Sequence, residues 1–258
     1  MTSASTSSET PKVAVNPPFS ELNRLGQRPS PAPDSYWLHG TNPGPAHVHI
    51  LTQPAALAEI VAHGDSNLKA ELGGALLGTA FRDGDTLFVD IRAALPARSD
   101  DHGPIHFTFT ADVWAQLNRD RAEQFPELEI VGWFHTHPNL GVFYSGDDVV
   151  VHTAAFTLPW QVGLVLDPVR NEASFFGWID GKLAPIPGFF EMRNGRHESV
   201  VTWQVARTTV WSARKSYVAD NPEFGEYVIP GATAVSRQAF IGAAAGVLGL
   251  LLGFFLLA

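Results

Sequence analysis

Two apolar runs, ELGGALLGTAF from Glu71 to Phe81 and TLFVDIRAA from Thr86 to Ala94, flank the triplet Asp83-Gly84-Asp85. Apolar stretches joined by Asp-Gly read as two paired antiparallel strands, because glycine adopts the positive φ that a tight hairpin turn demands. Other segments supply further strands and helices. His47-Val48-His49-Ile50-Leu51 alternates like a strand, and PAALAEIVAH from Pro54 to His63 has helical spacing opened by a proline in its first turn. Phe107 to Phe109 reads as a short strand, and Ala111 to Phe125 as a helix that turns Val113, Trp114 and Leu117 inward. Ile130 to His137 (IVGWFHTH) is an apolar strand running into polar residues, and Val162 to Leu166 with Ser174 to Ile179 forms a second hairpin. The expected class is α/β in the broad sense, an α+β mixture of helices and mainly antiparallel strands.

With 45% apolar residues, seven Trp and seventeen Phe, the chain can fill a core without covalent staples. It has no cysteine, which excludes disulfide scaffolds, thiol catalysis and Cys-ligated zinc. Any metal here must be held by His and carboxylate. The 17 basic against 26 acidic residues give a formal charge of -9 without a basic stripe, so nucleic acid is not an expected partner.

The chemistry is concentrated in His135-Thr136-His137-Pro138, followed after six residues by Ser145-Gly146-Asp147-Asp148. On a strand His135 and His137 point to the same side, so two imidazoles can converge on one ion. Ser145 suits the N-cap of a helix from Gly146 to Phe156, which puts the Asp148 carboxylate in the first turn, where the helix dipole favours it. Two His and one carboxylate leave a zinc position for water, the arrangement of hydrolytic sites. A proton must still travel from that water to the leaving group, and a carboxylate outside the ligand set normally carries it. The other His-x-His, His47/His49, lacks a carboxylate at suitable spacing and reads as strand packing. His106, His152, Asp147 and Trp133 are close enough in sequence to line the site, but ordinary packing or surface exposure is favoured for each.

An upstream Glu, then His-Ser/Thr-His-Pro, six residues, Ser, two residues and Asp resembles the JAB/MPN (JAMM) signature, with every specified position present. ELGGALLG at Glu71 is similar to that family's glutamate strand and GLVLDPVR from Gly163 to Arg170 to the strand after its helix, so the resemblance covers about residues 45 to 180. It implies a cytidine-deaminase-like JAB/MPN fold and one zinc per chain held by His135, His137 and Asp148. Glu71 would then be the catalytic acid/base, and Ser145 would help hold the oxyanion or the water. It also implies cleavage after the C-terminal glycine of a ubiquitin-like protein or in its conjugates. The short inter-motif stretches are more similar to the prokaryotic branch. A JAMM peptidase on unmodified polypeptides and a catalytically silent MPN scaffold are the alternatives.

The expected organisation is a disordered Ser/Pro-rich arm over 1–35, the metalloprotease domain over 36–194, an extension over 195–236 and a tail over 237–258. The extension contains VVTWQVARTTVW, whose spacing fits either period. Ala239 to Ala258 is twenty residues without a charge, and at ~1.5 Å per residue it spans about 30 Å, the thickness of a bilayer core. That reads as a single-pass tail anchor, with Arg237 favouring a cytoplasmic catalytic domain. Gly242, Gly246, Gly249 and Gly253 give it a face on which two helices can approach, a route to a homodimer.

Overall fold

A computed structural model describes residues 22, 25–27, 35–98 and 109–210. Most of the N-terminal arm, His106 and Phe107, the later part of the extension and the expected membrane tail lie outside the described residues. The part of the arm that is described departs from the expected disorder, since Leu22 and Leu25 pack on the core and Gly26–Gln27 pairs with Phe81–Arg82.

In chain order, β1 (Gly26–Gln27), β2 (Tyr36–Gly40) and β3 (His49–Thr52) lead to α1 (Pro54–Ser66), then β4 (Gly73–Asp83) and β5 (Thr86–Pro96). Next come α2 (Ala111–Gln124), β6 (Glu129–Thr136), α3 (Gly146–Ala155), β7 (Val162–Asp167), β8 (Glu172–Ile179), β9 (Lys182–Ile186), β10 (Gly188–Met192) and β11 (Gln204–Val205). One mixed sheet runs β11-β8-β7-β6-β4-β5-β3-β10-β2, with β1 beside β4 and β9 beside β8. The β4–β5 hairpin closes at Asp83 opposite Thr86, and Gly84 supplies the turn with φ 57°.

Helices cover both faces of the sheet. Leu76, Phe134, Leu164 and Leu166 form one core with Ala56, Leu57 and Ile60 of α1. On the opposite face Ala75 and Leu77 meet Val113 and Leu117 of α2, while Trp133, Val165 and Phe176 pack with Tyr144 and Phe156 around α3. Buried side chains of this kind contribute roughly 1.5–3 kcal/mol each. The fold therefore rests on its central strands β4, β6 and β7, and the chemistry-bearing residues sit at one end of them.

Several expectations shift. The Glu71 run does not begin as strand at Glu71; pairing starts at Gly73, opposite His135. Trp114 is half-buried and lies across Phe109, with ring centroids 5.0 Å apart, and Phe109 is outside any strand. The ambiguous extension belongs to the core up to Val210: Val201 and Trp203 are buried, β11 runs parallel to β8, and Val210 bridges Tyr144. A strand two residues long expresses neither period, which is why its spacing was undecided. Among the described residues no helix is long and apolar enough to cross a membrane.

Candidate metal centre

His135 lies near the end of β6 and shares a face with Trp133 two residues earlier, as strand alternation requires. His137 follows just past the strand, its backbone held by an N–H bond of 2.8 Å to the Leu166 carbonyl. Ser145 caps α3: its Oγ accepts from Asp148 N at 3.1 Å while Asp148 Oδ2 accepts from Ser145 N at 2.7 Å. This reciprocal box fixes the Asp148 side chain in the first turn.

Glu71 sits just before β4, and Thr136 ties it in. The Thr136 N–H donates to Leu72 O at 2.8 Å, and Thr136 Oγ1 accepts from Leu72 N at 2.9 Å. The residue between the two histidines thereby clamps the glutamate's neighbour. No spacing in the sequence encodes this link.

The result is a compact buried cluster. The Nε2 atoms of His135 and His137 are 3.0 Å apart, His135 Nε2 is 3.2 Å from Asp148 Oδ1, and His137 Nε2 is 3.9 Å from Asp148 Oδ2. Glu71 Oε1 approaches His137 Nε2 at 3.7 Å. One ligand atom from each of His135, His137 and Asp148 lies within 4.8 Å of the others. Zinc bonds of about 2.0–2.1 Å in tetrahedral geometry separate ligand atoms by about 3.3 Å, so the donor set fits that ion.

Tautomer and charge agree with this fit. His137 Nδ1 is 3.1 Å from the Gly141 carbonyl; a carbonyl only accepts, so Nδ1 carries the proton and the Nε2 lone pair faces the cluster. Burial, and then the neighbouring His135 charge, push the His137 pKa down to about 4. Burial also works against a charged His135, but the Asp148 carboxylate outweighs it and the His135 pKa is raised. Burial likewise opposes the Asp148 charge, yet His135 and His137 hold that carboxyl well below its usual range. The Asp148 carboxylate thus favours positive charge at the point where the two imidazoles converge.

Behind His135 stands a layer that the residue pattern did not single out. Trp133 Nε1 and the Tyr144 hydroxyl, 3.3 Å and 3.0 Å away, both donate to His152 Nδ1. Burial raises the Tyr144 pKa well above 10.0, so its hydroxyl stays a donor. Trp133 and His152 stand near the motif in sequence, but nothing in their spacing shows that the two side chains meet. Asp147 is exposed on the outer side of α3. His49 packs against Phe88 with ring centroids 5.0 Å apart, within strand packing.

Residues 45–157 match the family described as JAB1/Mov34/MPN/PAD-1 ubiquitin protease. They form a JAB/MPN domain. The relatives of this JAB/MPN protein include COP9 signalosome complex subunit 5 of Dictyostelium discoideum, 29% identical over 48% of this chain and 37% of that protein. NAD(+) hydrolase TcpA of Theionarchaea archaeon (strain DG-70-1) is 39% identical over 38% of this chain and 28% of its own. The 26S proteasome non-ATPase regulatory subunit 14 of Drosophila melanogaster is 27% identical over 47% and 39%. The chain therefore spans less than half the length of these curated relatives.

Proposed function

We propose that this JAB/MPN protein is a zinc-dependent hydrolase that cleaves isopeptide or peptide bonds after the C-terminus of a ubiquitin-like modifier. The observation that carries this reading is the convergence of His135, His137 and Asp148 with the Glu71 carboxylate 3.7 Å from His137 Nε2. The match to a family described as ubiquitin protease, with relatives in the COP9 signalosome and the proteasome, supports this substrate class.

His135, His137 and Asp148 would hold the zinc, which would supply Lewis acidity toward a scissile carbonyl and a water. Glu71 takes a proton from that water and passes it to the leaving amine. Ser145 Oγ already accepts from Asp148 N, so its hydroxyl proton is available to the carbonyl oxygen as negative charge develops there. Trp133 and Phe143 wall the imidazoles: Trp133 stacks on His135 at 4.6 Å and Phe143 lies 4.8 Å from His137. The uncharged run from Ala239 to Ala258 supports a membrane-tethered form of this activity.

The test is metal analysis of the purified full chain together with cleavage of a fusion joined through the C-terminal glycine of a ubiquitin-like protein, with and without chelator. Near one zinc per chain and chelator-sensitive cleavage is the expected result. Zinc without cleavage moves the reading to a peptidase on other polypeptides, and a chain without zinc contradicts it.

A further inference from the structure

The turn between β7 and β8 reaches across to the loop that follows His137. Asp167, the last residue of β7, is fully buried. Its Oδ1 accepts from Asn139 N at 3.0 Å, Val169 N at 3.0 Å and Arg170 N at 3.1 Å. Its Oδ2 accepts from Gly141 N at 2.8 Å, and Arg170 Nε lies 3.5 Å from the same oxygen. Burying a carboxylate costs several kcal/mol unless its partners are well placed. Here every partner belongs either to its own turn or to the loop after His137.

That loop has one shape. Leu140 N donates to His137 O at 3.1 Å, Pro138 occupies the second position of the turn, and Asn139 the third with φ 60°. These are the requirements of a type II turn. The Gly141 N–H is held by Asp167, and its φ of 83° turns the Gly141 carbonyl back onto His137 Nδ1.

We propose that Asp167 is the positioning residue of His137: by gripping Asn139 N and Gly141 N with its two oxygens, it aims the Gly141 carbonyl that fixes His137 as the Nδ1–H tautomer, with Nε2 free to ligate. The proposal rests on the zinc-hydrolase reading. Capping the β7–β8 turn alone does not require a carboxylate, because Val169 N and Arg170 N share Oδ1, and one amide oxygen serves them equally. Gly141 N demands the second oxygen. An amide at 167 would present its NH2 to the Gly141 N–H, donor against donor. A second-layer link of this kind governs metal affinity by roughly ten- to a hundredfold.

The test compares the full chain with Asp167→Asn and Gly141→Ala, using histidine-selective 15N spectra of the metal-free proteins and zinc affinity by chelator competition. In the wild type His137 is expected as Nδ1–H. Asp167→Asn is expected to mix the tautomers and weaken zinc binding about tenfold or more. Gly141→Ala strains the φ 83° position and puts a methyl 3.2 Å from Arg170 Nη1. It is expected to disturb the same link even if Asp167→Asn fails to fold. A wild-type His137 in the Nε2–H form overturns the proposal, as does a folded Asp167→Asn with unchanged tautomer and affinity. Zinc-free wild type with the expected tautomer would instead sink the hydrolase reading and leave the positioning intact.

Discussion

The Trp133 indole lies flat against the His135 imidazole, ring centroids 4.6 Å apart and planes at 11°. His135 Nδ1 has no hydrogen-bond partner among the described residues, so its ring orientation comes from this stack and from Asp148 rather than from a carbonyl like that of Gly141. Trp133→Phe keeps a ring face and loses the bond to His152, and is expected to cost about 1 kcal/mol. Trp133→Ala empties the space and is expected to cost about 3–5 kcal/mol and to weaken zinc binding beyond the Phe variant. Urea unfolding in chelator and zinc competition read the two effects separately.

His152 gives a pH dependence whose sign follows from burial. Desolvation, only partly offset by the Gln161 backbone, lowers its pKa to about 3. The unfolded chain therefore binds this proton at a pH where the folded one does not. Above about 6.5 both forms are neutral and the contribution is complete. As pH falls from about 6.5 toward 3, stability is expected to drop by up to about 1.4 kcal/mol per unit, over and above other groups. His152→Gln removes that slope. Unfolding free energies of the two proteins in chelator, subtracted across this window, check it; parallel curves would refute the assignment.

Gly163 pairs with Trp133 across β6 and β7 and leaves room for the ring layer behind His135. A Cβ there would fall on the Tyr144 hydroxyl and come within 2.8 Å of Trp133 Nε1. Both rings are buried and fixed, so neither can yield cheaply. Gly163→Ala is expected to destabilise by roughly 1–3 kcal/mol, with a changed tryptophan fluorescence spectrum as the local sign. Wild-type stability and fluorescence would mean that the layer is softer than its packing indicates.

Much of this arrangement was legible because local rules act on short spans. The hairpin at Gly84, the His135–His137 pair at the end of β6 and the Ser145 cap with Asp148 in the first turn of α3 each need only a few consecutive residues. What escaped was long-range. Thr136 clamps Leu72 across 64 positions, and Asp167 holds Asn139 and Gly141 from another turn. Neither bond leaves a period or a spacing, and a buried Asp in an apolar run reads only as a strand end. Glu71 was placed by resemblance for the same reason: its proximity to His137 depends on strand pairing.

Ser145 has two separable tasks. Its Oγ caps α3 by accepting from Asp148 N, and the proposed mechanism also needs its proton at the carbonyl oxygen. Ser145→Ala removes both and is expected to cost about 1 kcal/mol in stability and about 10²–10³ in kcat. Ser145→Asp keeps an N-cap acceptor without a hydroxyl donor, so it should retain the cap while leaving cleavage impaired. Thermal unfolding with single-turnover cleavage decides. If Ser145→Asp cleaves at the wild-type rate, the serine acts as a cap alone.

Glu71 and His137 lie 3.7 Å apart, yet their replacements should behave oppositely toward the metal. Glu71 is outside the cluster of three residues that could hold a metal, so Glu71→Gln preserves shape and removes only the group proposed to carry the proton. It is expected to keep near wild-type zinc content while cleavage falls at least about 10²–10⁴-fold. His137→Ala deletes a ligand and should lose zinc and cleavage together. Metal content measured beside initial rates separates the roles. A Glu71→Gln protein that cleaves normally would assign the proton transfer to another group, whereas one that loses zinc would make Glu71 a ligand.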